Sequence, residues 1–291
     1  MPTSSKTGLL GVIGDPIAHS LSPTLHRFLI QEYDLPYCYH AFRVPAEQLE
    51  MALLGARALG VAGLNVTLPH KQAVMRWLDE IDAEAQAIGA VNTIVFRKGR
   101  LLGTNTDAAG FLQSLRESGV GMRGRTVLVL GAGGAARAVC RAVQQAEAQA
   151  LLIYNRTRER AETLAAAFGG DVAGLEQAME LPAGSLVINA TRVGMAPDVE
   201  ASPLPELLFR PDCVYVDLVY NPLRTRFLQM AQTTGAATVD GLGMLIFQGV
   251  RSLEVWLERE FNAAEFYQPL REHLVSILMG RDTFGNHGTT P

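Results

Sequence analysis

The segment from Thr126 to Ala138 combines a strand, a glycine-rich turn and a helix start, an arrangement that binds anions. Thr126 to Leu130 is a short uncharged run of Thr, Val and Leu, typical of a parallel strand covered on both faces. Small residues then let the backbone turn sharply and approach a ligand closely; they are Gly131, Ala132, Gly133, Gly134 and Ala135. Because a helix N-terminus offers free N–H groups and a positive dipole end, the segment predicts a site for a dinucleotide pyrophosphate, with a purely structural turn as the alternative.

Arginines after the next predicted strand, Ala150–Tyr154, indicate which dinucleotide binds. An NAD site usually carries an acidic residue about 20 residues after the glycines, where it binds the ribose hydroxyls. Here the strand is followed by Asn155, Arg156, Thr157, Arg158 and Arg160. Because a guanidinium offers forked donors to phosphate oxygens, the segment favours NADP(H) over NAD. The alternative is a solvated surface, although cations at a helix N-terminus oppose its dipole.

Two ionisable side chains, Lys71 and Asp107, also stand at predicted helix starts. The helix dipole disfavours a lysine there, so Lys71 indicates either a function or an incidental surface position. Asp107 stands where an N-cap belongs, and capping alone would explain it. Ser22, followed by Pro23, has the same alternative, whereas Ser20 has no structural explanation of this kind.

The hydrophobic pattern predicts alternating strands and helices around these segments. Further strands are predicted at Leu9–Ile13, Tyr37–Arg43, Val61–Val66, Gly89–Phe96, Arg100–Gly103, Ser185–Ala190, Cys213–Leu218 and Ala236–Val239. Helices are predicted at Thr24–Glu32, Pro45–Leu59, Gln72–Ala87, Ala136–Ala148 and Leu245–Glu260. Two more are predicted to end at about Ser118 and at Phe168, and a last one, capped by Asn262, runs to about Met279. We therefore predict an α/β fold of two domains: 1–106, completed by the helices of 241–280, and a Rossmann domain of 107–240. Residues 281–291 are predicted to be a flexible tail.

Composition indicates an ordinary globular protein. The chain has 291 residues, 48% of them hydrophobic, and a net charge of −4 with acids and bases interspersed. This charge pattern argues against a nucleic-acid or anionic-membrane surface, and no apolar run or leader predicts a membrane span or secretion, so we expect a cytoplasmic protein. Three scattered Cys residues give neither a disulfide framework nor a zinc pattern, and we expect no metal.

Eight segments together resemble the shikimate dehydrogenase family, in the family's order along nearly the whole chain. They are Ser20-x-Ser22-Pro23, Asn65-Val66-Thr67-Leu68-Pro69-His70-Lys71, Gly89-Ala90-Val91-Asn92-Thr93, Asn105-Thr106-Asp107, the Gly131 turn, Asn155-Arg156-Thr157, Asn189-Ala190-Thr191 and Asp240-Gly241-Leu242-Gly243-Met244. The resemblance implies an NADP-linked interconversion of shikimate and 3-dehydroshikimate in the cleft between a substrate-binding domain and a Rossmann domain. With a small molecule as substrate, we expect no nucleic-acid or membrane partner, and either a monomer or a homodimer.

The resemblance also implies a role for each matching residue. Lys71 would exchange the hydroxyl proton and Asp107 would orient it, because a carboxylate stabilises an ammonium whose proton can be passed on. The implied substrate-binding residues are Ser20, Ser22 and Tyr220 for the carboxylate, and Asn65, Thr67, Asn92 and Gln248 for the ring hydroxyls. The implied cofactor-binding residues are Gly131, Ala132, Gly133, Gly134, Ala135, Asn155, Arg156, Thr157, Arg160, Thr191, Leu218, Gly241 and Met244.

Three positions depart from the pattern that the resemblance leads us to expect. Arg192 stands where Ser is usual and would add a phosphate contact near the cofactor. Phe247 stands where a small residue is common and would narrow the ring site, and Ala108 replaces a frequent Gly. These departures leave a paralogue acting on quinate or aminoshikimate as the alternative, although Ser at both 20 and 22 favours shikimate.

Two other classes of protein compete with this interpretation. A non-catalytic NADP(H)-binding regulator would have no need of Lys71 and Asp107 together. A dehydrogenase of the methylene-tetrahydrofolate type would carry a Tyr a few residues before the lysine, where Thr67 and Leu68 stand instead. Both classes are therefore disfavoured.

Overall fold

The computed structural model describes residues 6–280, and the predicted tail at 281–291 lies outside this range. Within it, twelve strands and ten α-helices alternate along the chain and form two six-stranded sheets. The α/β class predicted from the sequence is confirmed. No helix of residues 6–280 combines the length and apolar composition needed to cross a membrane.

The first sheet contains the strands of the N-terminal part of the chain. Its elements are β1 (Gly8–Gly14), α1 (Ser22–Glu32), β2 (Tyr37–Arg43), α2 (Leu49–Ala58), β3 (Gly63–Val66), α3 (His70–Ala73), β4 (Glu80–Ile81), α4 (Ala83–Ile88), β5 (Thr93–Arg97) and β6 (Arg100–Thr104). The strand order is β2-β1-β3-β5-β6-β4, and β5 runs antiparallel to both of its neighbours while the other pairs are parallel. The β5–β6 hairpin closes on Lys98 and Gly99, both at positive φ, as a two-residue turn requires.

The second sheet is entirely parallel. The elements from residue 107 onward are α5 (Asp107–Glu117), β7 (Thr126–Leu130), α6 (Gly134–Gln145), β8 (Ala150–Tyr154), α7 (Arg158–Phe168), β9 (Asp171–Val172), β10 (Leu186–Asn189), β11 (Val214–Asp217), α8 (Arg226–Thr233), β12 (Ala237–Val239), α9 (Leu242–Leu257) and α10 (Ala263–Leu278). The order β12-β11-β10-β7-β8-β9 reverses direction at β7, which places the glycine turn where open α/β sheets bind ligands.

The helix predicted over Gln72–Ala87 is wrong. α3 ends at Ala73, a 3₁₀ turn spans Val74–Trp77, and β4 then pairs with β6. A new helix starts behind Asp82, whose carboxylate accepts a hydrogen bond from the Ala85 N–H at 2.7 Å. The segment therefore forms a 3₁₀ turn, an edge strand and a short helix. The pairing of β4 with β6 and the cap at Asp82 outweigh the weak helix propensity of the segment.

The C-terminal helices pack on the first sheet and on α5. Trp256 of α9 donates from Nε1 to the Ile94 carbonyl of β5 at 2.9 Å, and α1 shares a buried apolar cluster with α9 and α10. Asn262 caps α10 as predicted, accepting from the Ala264 N–H at 3.1 Å. The domain boundaries at 106/107 and 240/241 stay a prediction, with β1–β6 on one side of the first boundary and β7–β12 on the other.

Candidate active site

Lys71 and Asp107 lie in contact between the two sheets. Lys71 Nζ donates to Asp107 Oδ2 at 2.6 Å, and only 15% and 4% of the two side chains are exposed. Asp107 is the first residue of α5 and Thr106 holds the N-cap position, so the capping explanation of Asp107 is wrong. Its carboxylate binds side chains instead of the backbone of its own helix, while the helix N-terminus favours the negative charge.

Asn92 holds the second oxygen of that carboxylate. Its Nδ2 donates to Asp107 Oδ1 at 2.8 Å, and its Oδ1 accepts from the Thr106 N–H at 2.9 Å. The Asn105 Oδ1 accepts from the Asp107 N–H at 2.9 Å. Asn92, Asn105 and Asp107 are all buried, so the carboxylate is held in one orientation toward Lys71.

Gln248 reaches the same cluster from α9. Its Oε1 lies 3.4 Å from Asn92 Nδ2, and its backbone carbonyl accepts from Thr106 Oγ1 at 2.9 Å. α5 and α9 approach closely at Gly110, where a Cβ would lie 2.6 Å from the Gln248 backbone nitrogen. The glycine therefore permits the helix crossing that places Gln248 beside the pair.

Asn65 belongs to a buried hydrogen-bond network below the pair. Its Oδ1 accepts from the Tyr39 hydroxyl at 2.7 Å, and its Nδ2 donates to Ser252 Oγ at 2.9 Å and to Thr93 Oγ1 at 3.2 Å. Thr93 Oγ1 donates in turn to Asn92 Oδ1 at 2.9 Å. Sequence reasoning gave no role to Tyr39, Thr93 or Ser252, although Ser252 stands four residues after Gln248, on the same face of α9.

The Ser20–Ser22 segment differs from the expected cap. Leu21 holds the N-cap position of α1, and Ser22 is its first residue with Pro23 following. The Ser20 Oγ accepts from the Ser22 N–H at 3.3 Å, so the capping explanation of Ser22 is wrong and the upstream serine binds that amide. The backbone of Leu21 hydrogen-bonds Tyr220, whose pKa is raised by burial. The structure thus brings Tyr220, from the loop after β11, to the residue between the two serines.

Thr67 follows β3 on the way to Lys71. Its backbone N–H donates to the Ile13 carbonyl at 3.0 Å and its methyl group lies against Gly14, where a Cβ would come within 2.5 Å. His70, the neighbour of Lys71 in the sequence, is buried and bonds through Nε2 to the Val44 carbonyl at 2.7 Å. These contacts fix the turn that carries Lys71.

The glycine turn between β7 and α6 lies directly against Lys71. Gly131 has φ +116°, a conformation that side chains rarely adopt, and a Cβ at Gly134 would lie 3.3 Å from Lys71 Cδ. α6 begins at Gly134, two residues earlier than predicted, with Gly133 as N-cap and with Ala132 and Ala135 beside it. The first N–H groups of this helix have no partner within the helix and point to the cleft edge of the sheet.

The predicted 2′-phosphate residues surround the start of α7. Asn155 Nδ2 donates to the Thr157 carbonyl at 2.9 Å, which shapes the turn, and Thr157 is the N-cap residue. Arg158 pairs with Glu162 at 3.0 Å. Arg156 and Arg160 are exposed and form no ion pair or side-chain hydrogen bond with any residue of 6–280.

Asp217, at the end of β11, was not predicted as a site residue. Its Oδ1 accepts from Asn189 Nδ2 and from the Val219 N–H, both at 2.9 Å, and its Oδ2 accepts from Thr225 Oγ1 at 2.6 Å. Complete burial raises the pKa of this carboxyl to about 7, against the opposing effect of the three donors. Asn189 in turn binds Thr191, so one carboxyl connects the loops after β10 and β11.

Three of the implied cofactor-binding residues, Leu218, Gly241 and Met244, lie together at the same edge. A Cβ at Gly241 would lie 2.5 Å from the Leu218 carbonyl oxygen, and Met244 is buried one helical turn further on. Phe247 stacks on Tyr267 of α10 with ring centroids 4.8 Å apart, which favours a packing role over narrowing of the ring site. Ala108 is buried in the core beneath α5.

This donor set fits a dinucleotide phosphate next to a proton-transfer pair. A Cβ at Gly131 would lie 2.9 Å from the Thr191 methyl carbon, the first N–H groups of α6 have no partner within the helix, and the side chains of Arg156 and Arg160 are unpaired within residues 6–280. Within residues 6–280 no group of three or more His, Cys, Asp or Glu side chains lies close enough to hold a metal ion.

Comparison with known proteins gives matches along most of the chain. Residues 12–94 match the family model described as the shikimate dehydrogenase substrate binding domain, and residues 114–218 match the model described as shikimate / quinate 5-dehydrogenase. A protein of Symbiobacterium thermophilum named shikimate dehydrogenase (NADP(+)) is 47% identical, over 86% of this chain and 89% of its own. A protein of that name from Methanopyrus kandleri is 44% identical, over 93% of this chain and 97% of its own.

Solved structures give the same result. Shikimate 5-dehydrogenase of Thermus thermophilus, solved with NADP(H) and shikimate, is 42% identical with a TM-score of 0.84, covering 92% of this chain and 100% of its own. The 5-ketofructose reductase of a Gluconobacter strain is 35% identical with a TM-score of 0.81, covering 94% and 100%. With two family models on most of the chain and relatives above 40% identity, the chain belongs to the shikimate dehydrogenase family.

Proposed function

We propose that this protein is an NADP-dependent shikimate dehydrogenase, which interconverts shikimate and 3-dehydroshikimate in aromatic amino acid biosynthesis. The observation that carries the proposal is the buried contact of Lys71 Nζ with Asp107 Oδ2, 2.6 Å long, against the glycine turn. A binding protein without catalysis gains nothing from burying this pair beside a cofactor site. The relatives named shikimate dehydrogenase (NADP(+)) support the same activity.

Lys71 would carry the proton in both directions. In reduction, its ammonium group donates a proton to the ketone oxygen, and in oxidation the amine accepts the proton of the hydroxyl. Asp107 keeps the ammonium in place and orients it, since its other oxygen is already bound to Asn92. Bound NADPH supplies the hydride.

The cofactor is NADP(H), and the residues at the edge of the second sheet would hold it. The N–H groups at the start of α6 would bind the pyrophosphate. Arg156 and Arg160 would bind the 2′-phosphate, since both are exposed and unpaired within the described residues. Leu218, Gly241 and Met244 would border the nicotinamide, and Thr191 would lie between the two halves of the cofactor.

Neutral polar groups would bind the substrate. Tyr220 hydrogen-bonds the backbone of Leu21, which stands between Ser20 and Ser22, and these three polar side chains would hold the carboxylate. The ring hydroxyls would bind to four side chains around the pair, namely Asn65, Thr67, Asn92 and Gln248. A hydroxyl or amide left without its partner costs about 1–3 kcal/mol, so each contact rejects substrates that lack the matching group.

The alternative within the family is a paralogue that acts on another polyol. One matching family model is described by both shikimate and quinate, and the structural neighbours include a 5-ketofructose reductase. A steady-state panel of shikimate, quinate and aminoshikimate, each with NADP and NAD, tests the proposal. We expect the highest kcat/KM for shikimate with NADP; activity confined to quinate with NAD would overturn both choices.

We further propose a cytoplasmic enzyme with domains of 1–106 plus 241–280 and of 107–240, acting as a monomer or a homodimer. The interspersed charges of the sequence and the two separate sheets support these assignments. Light scattering on the purified chain distinguishes the two oligomeric states.

A further inference from the structure

The loop after β10 is held rigidly on both sides of Arg192. The Asn189 Oδ1 accepts from the Thr191 N–H at 3.0 Å and from its hydroxyl at 2.7 Å, and the Thr191 Oγ1 accepts from the Val193 N–H at 3.0 Å. Asn189 Nδ2 also donates to the Val193 carbonyl, at 3.2 Å. Both residues that flank Arg192 are therefore bound to one buried amide.

Asp217 fixes the orientation of that amide. Its Oδ1 accepts from Asn189 Nδ2 and from the Val219 N–H, both at 2.9 Å, and its Oδ2 is paired with Thr225 Oγ1. The Thr191 N–H can only donate, so it requires the oxygen of the Asn189 amide on its side. The Asn189 Nδ2 must face Asp217, so its oxygen must face Thr191. The loop conformation is thus determined below the surface, by side chains that are completely buried.

Arg192 itself is left free on this rigid loop. Its side chain is exposed and forms no ion pair or side-chain hydrogen bond with any residue in the described range 6–280. Arg158 and Arg210, by contrast, each pair with a carboxylate close in sequence. A pre-organised backbone that carries an unpaired guanidinium loses little entropy when an anion binds.

The strand order places the loop that carries Arg192 beside the glycine turn, on the side away from the loop that carries Arg156. β7 lies between β10 and β8, so the loop with Arg192 and the loop with Arg156 flank the turn from opposite sides. A Cβ at Gly131 would lie 2.9 Å from the Thr191 methyl carbon, which shows how closely the β10 loop approaches. The loop that carries Arg192 therefore borders the glycine turn on the β10 side.

We propose that Arg192 is a further cofactor-binding residue, which contacts the pyrophosphate and not the 2′-phosphate. The inference rests on the proposed NADP(H) function and deepens it. Two sets of arginines thereby bind different parts of the cofactor. Arg156 and Arg160 bind the 2′-phosphate that distinguishes NADP from NAD, and Arg192 binds the pyrophosphate that both dinucleotides share. Arg192 raises affinity for each without changing the preference between them.

Direct binding of NADPH and NADH, measured by nucleotide fluorescence, tests the proposal without turnover. We expect R192S to raise the Kd of both nucleotides by the same factor, about 5- to 20-fold, since one charge-assisted contact is lost at an exposed site. R156S should raise the Kd of NADPH alone. R125S is the matched control, because it removes the same charge at the amino end of β7, away from the glycine turn. It should change the Kd of neither nucleotide.

Competition by fragments separates the two phosphates further. R192S should weaken inhibition by ADP and leave inhibition by 2′-AMP unchanged, and R156S should do the reverse. An unchanged Kd for both nucleotides in folded R192S, or a loss confined to NADPH, would overturn the proposal. If the variants showed these changes in Kd but the wild-type protein did not turn over shikimate, the proposed substrate would be overturned and the role of Arg192 would stand.

Discussion

The two sides of the cleft are built in opposite ways. On the substrate side, polar groups such as Asn65, Asn92 and Asp107 are buried and bound to one another. On the cofactor side, Arg156 and Arg192 are exposed and have no partner within the described residues. The first side orients groups before any ligand arrives, and the second leaves cations free for an anion.

Solvation explains the difference. A buried charge or amide without a partner is costly, so groups that must lie close to reacting atoms are paired with other protein groups. An exposed guanidinium is hydrated at little cost and can exchange water for phosphate oxygens. Asp217 is the exception, because it is a buried carboxyl on the cofactor side with only neutral donors around it.

The largest expected effect comes from Lys71→Met on the substrate side. Methionine keeps the methylene groups that lie against Gly134 but has no proton to exchange, so kcat should fall by about 10²- to 10⁴-fold. The Kd for NADPH should change little, which binding by fluorescence checks. Lys98→Met, in the exposed β5–β6 turn, is the control and should leave kcat unchanged; turnover retained in the Lys71 variant would retire its assignment.

Asp217→Asn tests the exception. The pKa of the folded carboxyl is about 7, above the ordinary 3.8, so the native state holds this proton over a pH range where the unfolded chain has lost it. The protonated Asp217 therefore stabilises the folded state at low pH. This stabilisation, on the order of 4 kcal/mol, is lost as the pH rises through 7.

The amide variant has no such titration. Its oxygen can accept from Asn189 and Val219 while its nitrogen faces Thr225, whose hydroxyl can rotate to accept. The free energy of unfolding of Asp217→Asn relative to wild type should therefore increase between pH 5 and pH 8, measured by urea denaturation. A difference independent of pH would show that Asp217 does not titrate in this range.

Asn92→Leu should have an intermediate effect. The substitution removes the donor to Asp107 Oδ1 and the acceptor of the Thr106 N–H, so the pair loses its alignment. A misplaced catalytic group costs up to about 10²-fold in kcat, with a smaller change in the KM for NADPH. If kcat remained within twofold of wild type, pre-organisation by Asn92 would be refuted.

The smallest effect is expected from Glu84→Gln, between the two sides. Glu84 of α4 binds Arg141 of α6 through contacts of 3.0 to 3.2 Å, and both side chains are about one-third exposed. Exposed pairs contribute about 1 kcal/mol or less, so the loss of stability should be small and kcat should be unchanged. A large fall in kcat would instead show that the contact of Glu84 with Arg141 helps to align the substrate side with the cofactor side.

Local sequence was sufficient to predict the strand, the glycine turn and the exposed arginines of the proposed cofactor side. The strand β7, the glycine turn and the arginines after β8 are contiguous, and their chemistry depends on backbone conformation and exposed charge. The α/β class followed for the same reason, because short apolar runs alternate with helical periods. The prediction failed where a weak helical pattern competes with tertiary contacts. The helix predicted over Gln72–Ala87 is interrupted because β4 pairs with β6.

By itself, the sequence determined the residue types of the site and the elements that carry them. Only the tertiary structure decided what those residues bind: Asp107 and Ser22 are not caps, Asn65 is paired with Tyr39 and Ser252, and Asp217 controls the loop of Arg192. The physical reason is that a buried polar group needs a hydrogen-bond partner, and folding can bring that partner from a distant part of the chain, as it brings Ser252 to Asn65 across 187 residues.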